Sequence, residues 1–599
     1  MLHPRFGLVL VLLLALLPRL AASDPLRPGH WELVTIVQPQ ISSVQCIVLV
    51  EQKDGQWTAT LAAPHPRIPG QRLDAFKVDG KTLTLTLDGP VGKLTFVAEL
   101  AGTGPEIKGF YGDDRRLQMA ILKPTEKSEL APEDLSRALT VPEPMRLATS
   151  LTARLNQLRN QHLRETDAEK KTQLAQEVND LQKRVNEEVP RLYREVVSRH
   201  GDELAGSFAA MTLISQAART PAPANEVRAW IDAVLRASQP YGDRWVQEQR
   251  VRIAEALRTQ PDLVPIALEL ARAVDQGSSG QASLDRQSRL LNLLHGLETK
   301  AGDETAAAKT KARLDKIELA LDQEYQTKVP PFKPTPFAGR KSPSTRAVVM
   351  ELFTGAQCPP CVAADVAFDA LVDTYRPADV VFLQYHLHIP GPDPLTNADA
   401  EARFQYYRQA FANDMRGTPS TVFNGKPAAG GGGGMANAEN KYGQYRGIIE
   451  PLLEQSAVAR LELTAQRSGN RVTMSAKVSD LASPKDTLRL RFVLVEDSVR
   501  YVGGNALRFH HHVVRDFPGG VAGFPVADGQ SVEANVNLDD LRQKLNQYLA
   551  DYAARRPFPK PDRPMDLQRL RVMALLQDDE THAILDARQV ELPPATAQR

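Results

Sequence analysis

An apolar run at residues 347–353 gives way to a short loop and then to Cys358-Pro359-Pro360-Cys361. The run reads as a buried strand. Beyond the second cysteine, Val362, Val366, Ala367 and Leu371 recur at helical spacing. A strand that passes into a helix across this turn leaves the first cysteine at a helix N-terminus. Unsatisfied backbone N–H groups and the helix dipole favour a thiolate there over a thiol. Two intervening residues let both side chains meet within one turn, so a disulfide that forms and breaks readily is expected. Half of a zinc site has the same spacing. The chain has only 3 cysteines, with Cys46 far upstream, which excludes a four-cysteine zinc knuckle and leaves a mixed Cys/His site open.

A second stretch, Arg416-Gly417-Thr418-Pro419-Ser420-Thr421-Val422-Phe423-Asn424-Gly425, follows a strand-like segment at 380–385 and a helix-like one at 398–413. The order strand, CxxC, helix, strand, helix, Thr-Pro, strand resembles the thioredoxin-like superfamily over residues 340–455. Within it, Glu351-Leu-Phe-Thr, the CPPC, Tyr385-His386, Asp393-Pro394 and Arg403–Tyr407 resemble secreted bacterial thioredoxin-like proteins of unassigned substrate. The resemblance implies a cis Thr418–Pro419 bond lying against the cysteines. It implies Cys358 as an exposed nucleophile and Cys361 as the buried resolving thiol. Thr418 and Pro419 would bind the substrate backbone and keep metals off the thiols. Thioredoxins also hold a buried acid near this place as proton acceptor for the second cysteine, and Glu351 is the candidate. Its alternative reading is an outward-facing edge residue.

At 599 residues the chain is too long for one core, and on the order of three to five domains is expected. The 73 basic and 72 acidic residues nearly cancel, so no nucleic-acid partner is expected. Residues 1–23 carry His3 and Arg5, an apolar stretch and then Ala21-Ala22-Ser23, the pattern of a signal peptide. The apolar stretch is shorter than the roughly 20 residues a spanning helix needs. Membrane association therefore depends on that segment staying uncleaved, and the mature protein is expected to be secreted or periplasmic. Too few cysteines are present for a disulfide framework, so the CPPC pair reads as chemical.

The expected fold class is multidomain α+β. Residues 28–124 alternate with period two between turn signals such as Asp54-Gly55 and Asp79-Gly80, implying an antiparallel barrel or sandwich, loosely lipocalin-like. Cys46 falls in its second strand, either as a buried apolar residue or as a third reactive thiol. Residues 132–328 change to helical period and begin with two long stripes that suit an antiparallel hairpin turning near 165–167, with Pro190 expected to kink the second helix. Residues 329–345 hold five prolines and read as an extended linker to a thioredoxin-like α/β domain at 346–455. Alternation returns over 456–595, read as a C-terminal β-sandwich with an inserted helix.

Other groups have two readings. His386 and His388 with Asp393 are loop residues, metal ligands or acid–base groups near the cysteines. Of His510, His511 and His512, alternation lets only the first and third share a metal ion, and the other reading of this stretch is a surface docked against the redox domain. Gly430–Gly434 is expected to be a mobile loop, and it is not a phosphate loop because no Lys-Ser/Thr helix start follows. The function these residues support is an extracytoplasmic thiol–disulfide oxidoreductase with no cofactor. Its partners would be a protein thiol or disulfide substrate and an electron-donor or acceptor protein. The alternatives are a cell-envelope binding or assembly protein with a non-essential or regulatory redox pair, and copper or zinc handling through Cys358, Cys361 and His386.

Overall fold

The computed structural model describes residues 25–594 apart from 91, 101–103, 115 and 278–281, so the expected signal segment lies outside the described residues. The protein is multidomain α+β, and it divides into two units, Met1–Leu321 and Asp322–Arg599.

In the first unit the alternating segments form β1 (Gly29–Gln38), β2 (Ile41–Lys53), β3 (Gln56–Pro64), β4 (Arg72–Asp79), β5 (Thr82–Gly89), β6 (Gly92–Glu99), β7 (Ile107–Gly112) and β8 (Leu117–Pro124). They pair antiparallel in the order β3-β2-β1-β8-β7-β6-β5-β4, and β9 (Ser136–Ala138) adds to β2. The edge strands β3 and β4 are consecutive in the chain, so the sheet nearly closes. Trp31, Leu33, Val48, Leu85 and Phe96 fill its interior together with Cys46. Burial pushes the Cys46 thiol up to about 12, which leaves it inert as a nucleophile.

The helical part runs through α1 (Glu143–Arg164), α2 (Ala168–His200), α3 (Leu204–Ala217), α4 (Ala224–Ser238), α5 (Asp243–Leu257), α6 (Val264–Gly277), α7 (Leu284–Lys300) and α8 (Glu304–Lys328). Asp167 caps α2 by accepting from Lys170 N at 2.9 Å, and α2 continues through Pro190 as one helix. Leu213, Trp230, Val234, Ile253, Leu270 and Leu294 form the main helical core. Phe110 and Met119 of the sheet pack with Tyr241 and Trp245, so sheet and helices share an interface within this unit.

In the second unit the proline-rich residues 329–345 are extended but not free. Phe332 and Phe337 lie against the rings of Tyr442 and Tyr375, and Arg340 pairs with Asp379 at 3.0 Å. Proline keeps the segment extended while its aromatic residues dock it. There follow β10 (Val348–Thr354), α9 (Val362–Thr374), β11 (Val380–His386), α10 (Ala398–Ala410), β12 (Ser420–Phe423), β13 (Lys426–Pro427) and α11 (Ala438–Leu453). β10 pairs parallel with β11 and antiparallel with β12. On one face α9 and α11 pack through Phe368, Leu371 and Tyr445 onto Val348, Met350 and Leu352. On the other, Phe404 and Tyr407 of α10 pack onto Val349, Phe353 and Tyr385.

The C-terminal strands do form sheets, though not as a separate sandwich. They are β14 (Arg460–Ser468), β15 (Arg471–Ser479), β16 (Leu488–Arg500), β17 (Phe509–Asp516), β18 (Phe524–Pro525), β19 (Ser531–Asn537), β20 (Leu570–Asp578) and β21 (Ile584–Glu591), with α12 (Leu538–Arg555) between β19 and β20. β17 pairs parallel with β11, giving one sheet in the order β13-β12-β10-β11-β17-β16-β20-β21. The sheet β14-β15-β19 and α12 form a second layer over Leu490, Phe492 and Leu576. At the far edge β21 returns toward β10, where Ala347 N donates to Asp586 at 3.2 Å and Ile584 N to Asn424 O at 3.0 Å.

Arg403 and Glu351 form a fully buried ion pair at 2.9 Å, on the face that carries α10. Tyr385 and Tyr407 donate their hydroxyls to the same carboxylate, and Arg403 donates to Gln577 of β20 at 2.9 Å. Removing one member leaves an uncompensated buried charge. Arg403→Met is expected to lower stability by about 3–5 kcal/mol, and adding Glu351→Leu to recover most of that loss. Urea denaturation followed by circular dichroism checks both, and a loss under about 1 kcal/mol for Arg403→Met would place the pair with weak surface bridges.

Candidate functional site

The loop between β10 and α9 carries the cysteines. Cys358 N donates to Gly355 O at 3.0 Å and Cys361 N to Cys358 O at 3.1 Å, closing a short 3-10 turn over Pro359–Cys361 that runs into α9. The two cysteines are disulfide-bonded, with Cα atoms 5.3 Å apart. Pro359 and Pro360 bring no N–H to this turn, so its donors come from the cysteines themselves.

Cys358 stands at the head of the helix as expected, but it is not exposed. Its residue is 1% accessible and that of Cys361 is 0%. Three segments cover the pair. The Thr418–Pro419 bond is cis, and Thr418 donates its hydroxyl to Cys358 Sγ at 3.4 Å with its carbonyl oxygen 3.8 Å from the same sulfur. The chain thus brings Cys358, Cys361, Thr418 and Pro419 together.

The second cover is the glycine run, which is laid down rather than loose. Gly433 N donates to Pro360 O at 2.7 Å, Ala363 N to Gly433 O at 3.0 Å, and Gly431 N to Pro419 O at 3.3 Å. Asn437 and Lys441 hold the Gly432 and Ala429 carbonyls from the far side. A Cβ on Gly432 would lie 1.9 Å from Pro360 O and 2.8 Å from the Pro419 ring. Only a residue without a side chain passes there, which is why an entropically costly sequence is ordered at this place.

The third cover comes from the turn between β16 and β17. Asn505 N donates to Ala356 O at 3.0 Å, Gly504 N to Gln357 Oε1 at 3.0 Å, and a Cβ on Gly503 would meet Ala356 O at 2.2 Å. Leu507 adds to an apolar patch with Val362 and Val366 at the start of α9 and Ala438 at the start of α11.

Glu351 does not join this group. Strand alternation turns it to the α10 face, away from α9, where Arg403, Tyr385 and Tyr407 occupy its oxygens. The acid on the cysteine side is Asp365, four residues after Cys361 and therefore on the same face of α9. It is 1% accessible; Thr354 donates to its Oδ2 at 2.9 Å and Gln384 to its Oδ1 at 3.2 Å. Burial pushes its carboxyl well above the usual range, and the nearby Asp369 and Asp393 add to that against the two hydrogen bonds.

From Gln384 the polar chain continues. Gln384 Oε1 is 3.2 Å from His386 Nε2, and His386 Nδ1 is 2.8 Å from Asp393 Oδ2. Asp393 also accepts from Ala356 N at 2.6 Å and from Leu395 N at 2.9 Å, so it anchors the loop in front of Cys358. Burial opposes ionisation of Asp393, but the His386 ring and these amides more than offset it and hold the carboxyl below its ordinary value. His388 accepts from Asp393 N at 3.0 Å and stacks on Tyr552, and burial pushes it down to about 4.

The three consecutive histidines do not alternate. His512 has a left-handed backbone, φ 53°, between Val513 and His511, which pair with Glu496 and Ser498. His510 faces Tyr501 O at 3.0 Å and the His386 ring, His511 pairs with Asp369 at 2.9 Å, and His512 faces Phe382 O at 3.1 Å. Burial lowers His510 to about 3 and His512 to about 4. Among the described residues no group of three or more His, Cys, Asp or Glu side chains is placed to hold a metal ion.

Sequence reasoning overlooked Asp365 and Gln384, took the run that contains Gly432 as a mobile loop flanking the site, and gave the stretch around Asn505 only as a docked surface. Asp365 had a signal: an acid inside the apolar stripe of α9, one turn past Cys361. The others depend on segments distant in the chain that meet only in the fold.

No protein-family model matches the chain, and no curated protein matches it. Among solved structures the chain is similar to a protein of Agrobacterium tumefaciens, at 16% identity over 44% of this chain and 99% of that one, with a TM-score of 0.28. It is also similar to a domain of the outer membrane lipoprotein Omp28 of Porphyromonas gingivalis, at 13% identity over 23% of this chain and 100% of that one, with a TM-score of 0.16. Likenesses at TM-scores this low carry no argument about fold or activity here.

Proposed function

We propose that this chain is an extracytoplasmic thiol–disulfide oxidoreductase that works through Cys358 and Cys361 on a thioredoxin-like α/β segment. The observation that carries the reading is the disulfide at the head of α9 in contact with Thr418 of a cis Thr-Pro pair. The parallel β10–β11 pair, antiparallel β12, and helices on both faces support the thioredoxin-like assignment. The signal-like sequence at 1–23 supports the compartment. Among the described residues no helix is long and apolar enough to cross a membrane.

In this reading a substrate thiolate attacks Cys358 Sγ, the bond to Cys361 breaks, and its electron pair leaves on Cys361. A second substrate thiolate then resolves the mixed disulfide, releasing Cys358 and a substrate disulfide; the reverse sequence reduces a substrate. The helix N-terminus stabilises Cys358 as a leaving thiolate. The partners are a protein carrying a thiol or disulfide and a second protein that returns the electrons.

One observation favours a second reading, an envelope binding or assembly protein whose disulfide is non-essential or regulatory: both cysteines are covered. Cys358→Ser separates the two. Under oxidoreduction it abolishes turnover of a peptide disulfide while the fold is unchanged, and under assembly the serine variant rescues a deletion strain fully.

Access makes its own prediction. Gly432→Ala places a methyl group against Pro360 O and forces the glycine run off the pair. If the covered state loses about 1.4 kcal/mol, reduction of the disulfide by dithiothreitol is expected to speed up about tenfold. Stopped-flow detection of the released thiols measures this, and an unchanged rate means the run does not gate the sulfurs.

A further inference from the structure

We infer that Asp365 is the group that exchanges a proton with Cys361, and that Gln384 links its ionisation to the His386–Asp393 pair holding the loop in front of Cys358. The inference rests on the oxidoreductase reading and names residues it did not contain.

Breaking the disulfide deposits an electron pair on Cys361 Sγ, at a residue with no accessible surface. A buried thiolate without a cation or proton is disfavoured by several kcal/mol. Asp365 lies one turn along the same helix, equally buried, with its carboxyl biased toward the protonated form by desolvation. The balanced step is short. Substrate thiolate bonds to Cys358 Sγ, the Cys358–Cys361 bond breaks, the Asp365 proton moves to Cys361 Sγ, and a carboxylate remains on Asp365. Re-formation of the disulfide returns the proton.

That carboxylate is received by groups already in place. Thr354 Oγ1 and Gln384 Nε2 both donate to Asp365. Gln384 has one carbonyl and one amino end, so its two neighbours are not independent. With the amino end toward Asp365, the carbonyl faces His386 Nε2 and requires a proton there; Nδ1 already faces Asp393. Both ring nitrogens then carry hydrogen. With the amide turned over, its carbonyl accepts from protonated Asp365 and its amino end donates to a neutral His386. Ionisation of Asp365 and protonation of His386 therefore favour one another, and Asp393 reports the change to Ala356 N at 2.6 Å.

The surrounding titratable groups are few and come from every neighbouring element. Asp369 lies on the same helix with His511 of β17 paired to it, and Asp393, His388 and His510 lie around His386. Tyr445 of α11 and Tyr325 at the end of α8, which stands near Arg508, sense the Asp365 charge. Glu351 is on the other face of the sheet, neutralised by Arg403.

The test is the pH dependence of the equilibrium between the protein disulfide and dithiothreitol, corrected for ionisation of the reagent. Dithiothreitol gives up the two protons that the protein dithiol takes up, so below the thiol range the constant for reduction does not change with pH. Where Asp365 has lost its proton in the reduced form alone, one proton is released overall and the constant rises tenfold per pH unit. Wild type is expected to show that break, Asp365→Asn to stay flat up to the thiol range, and Glu351→Gln to behave as wild type. Without the imidazolium the carboxylate is less favoured, so His386→Gln is expected to keep the break and move it to higher pH. Should Asp365→Asn not fold, Thr354→Val, which removes a donor to the carboxylate, must also move the break upward. A slope unchanged in Asp365→Asn, or one altered by Glu351→Gln instead, overturns the inference. Peptide-disulfide turnover assayed in parallel keeps the two readings distinct: no turnover with the break intact defeats only the oxidoreductase reading.

Discussion

β10 and β11 have no residue open to solvent along their whole length, and residues 322–599 are arranged to satisfy that condition. A parallel pair needs cover on both faces and neighbours on both edges. The helices α9 and α11 supply one face and α10 the other, β12 takes the free edge of β10, and β17 from the C-terminal part takes the free edge of β11. The C-terminal strands are thus a structural need of the disulfide-bearing strand. A CxxC helix supported only by residues 346–455 would leave the β11 edge, and the apolar faces of β16 and β20, in water.

The same requirement explains which parts of this arrangement are readable in sequence. Periods are local, so the alternation over 28–124 and the helical period over 132–328 are visible. The turn at 165–167 and the CPPC helix start are visible for the same reason. Edges are not local. Nothing in residues 456–595 distinguishes a strand that joins β11 from one that belongs to a separate sandwich. The left-handed backbone of His512 likewise cancels an alternation argument and has no composition signal. The glycine run misleads in an instructive way: composition says disorder, while contact with Pro360 and Pro419 says that only glycine fits.

Glu351 and Asp365 show the limit most sharply. Both are acids in apolar surroundings near the cysteines, and spacing from the first cysteine points to Glu351. Strand parity decides otherwise, because Met350 and Leu352 face α9 and Glu351 must face the opposite way. There it meets an arginine and two tyrosines, which occupy both of its oxygens. Asp365 meets a hydroxyl and an amide, neutral partners that stabilise either of its protonation states. Two buried carboxyls, one on each side of the same sheet, therefore differ in their partners. One is paired with a cation as part of the core, and the other has only neutral hydrogen-bond partners.

That difference bears on the covering of the disulfide. In an exposed site, water would solvate the leaving thiolate and no internal acid would be needed. Here Thr418, the glycine run and the Gly503–Asn505 turn exclude water from both sulfurs. Exclusion raises the cost of charge on Cys361, and the same exclusion raises the affinity of Asp365 for its proton. The two effects have one cause and opposite signs for the electron pair and the proton, so a proton transfer from oxygen to sulfur leaves the buried charge count unchanged. A cover that looks like an obstacle to thiol chemistry is, on this argument, what gives a carboxyl at this position a proton to exchange.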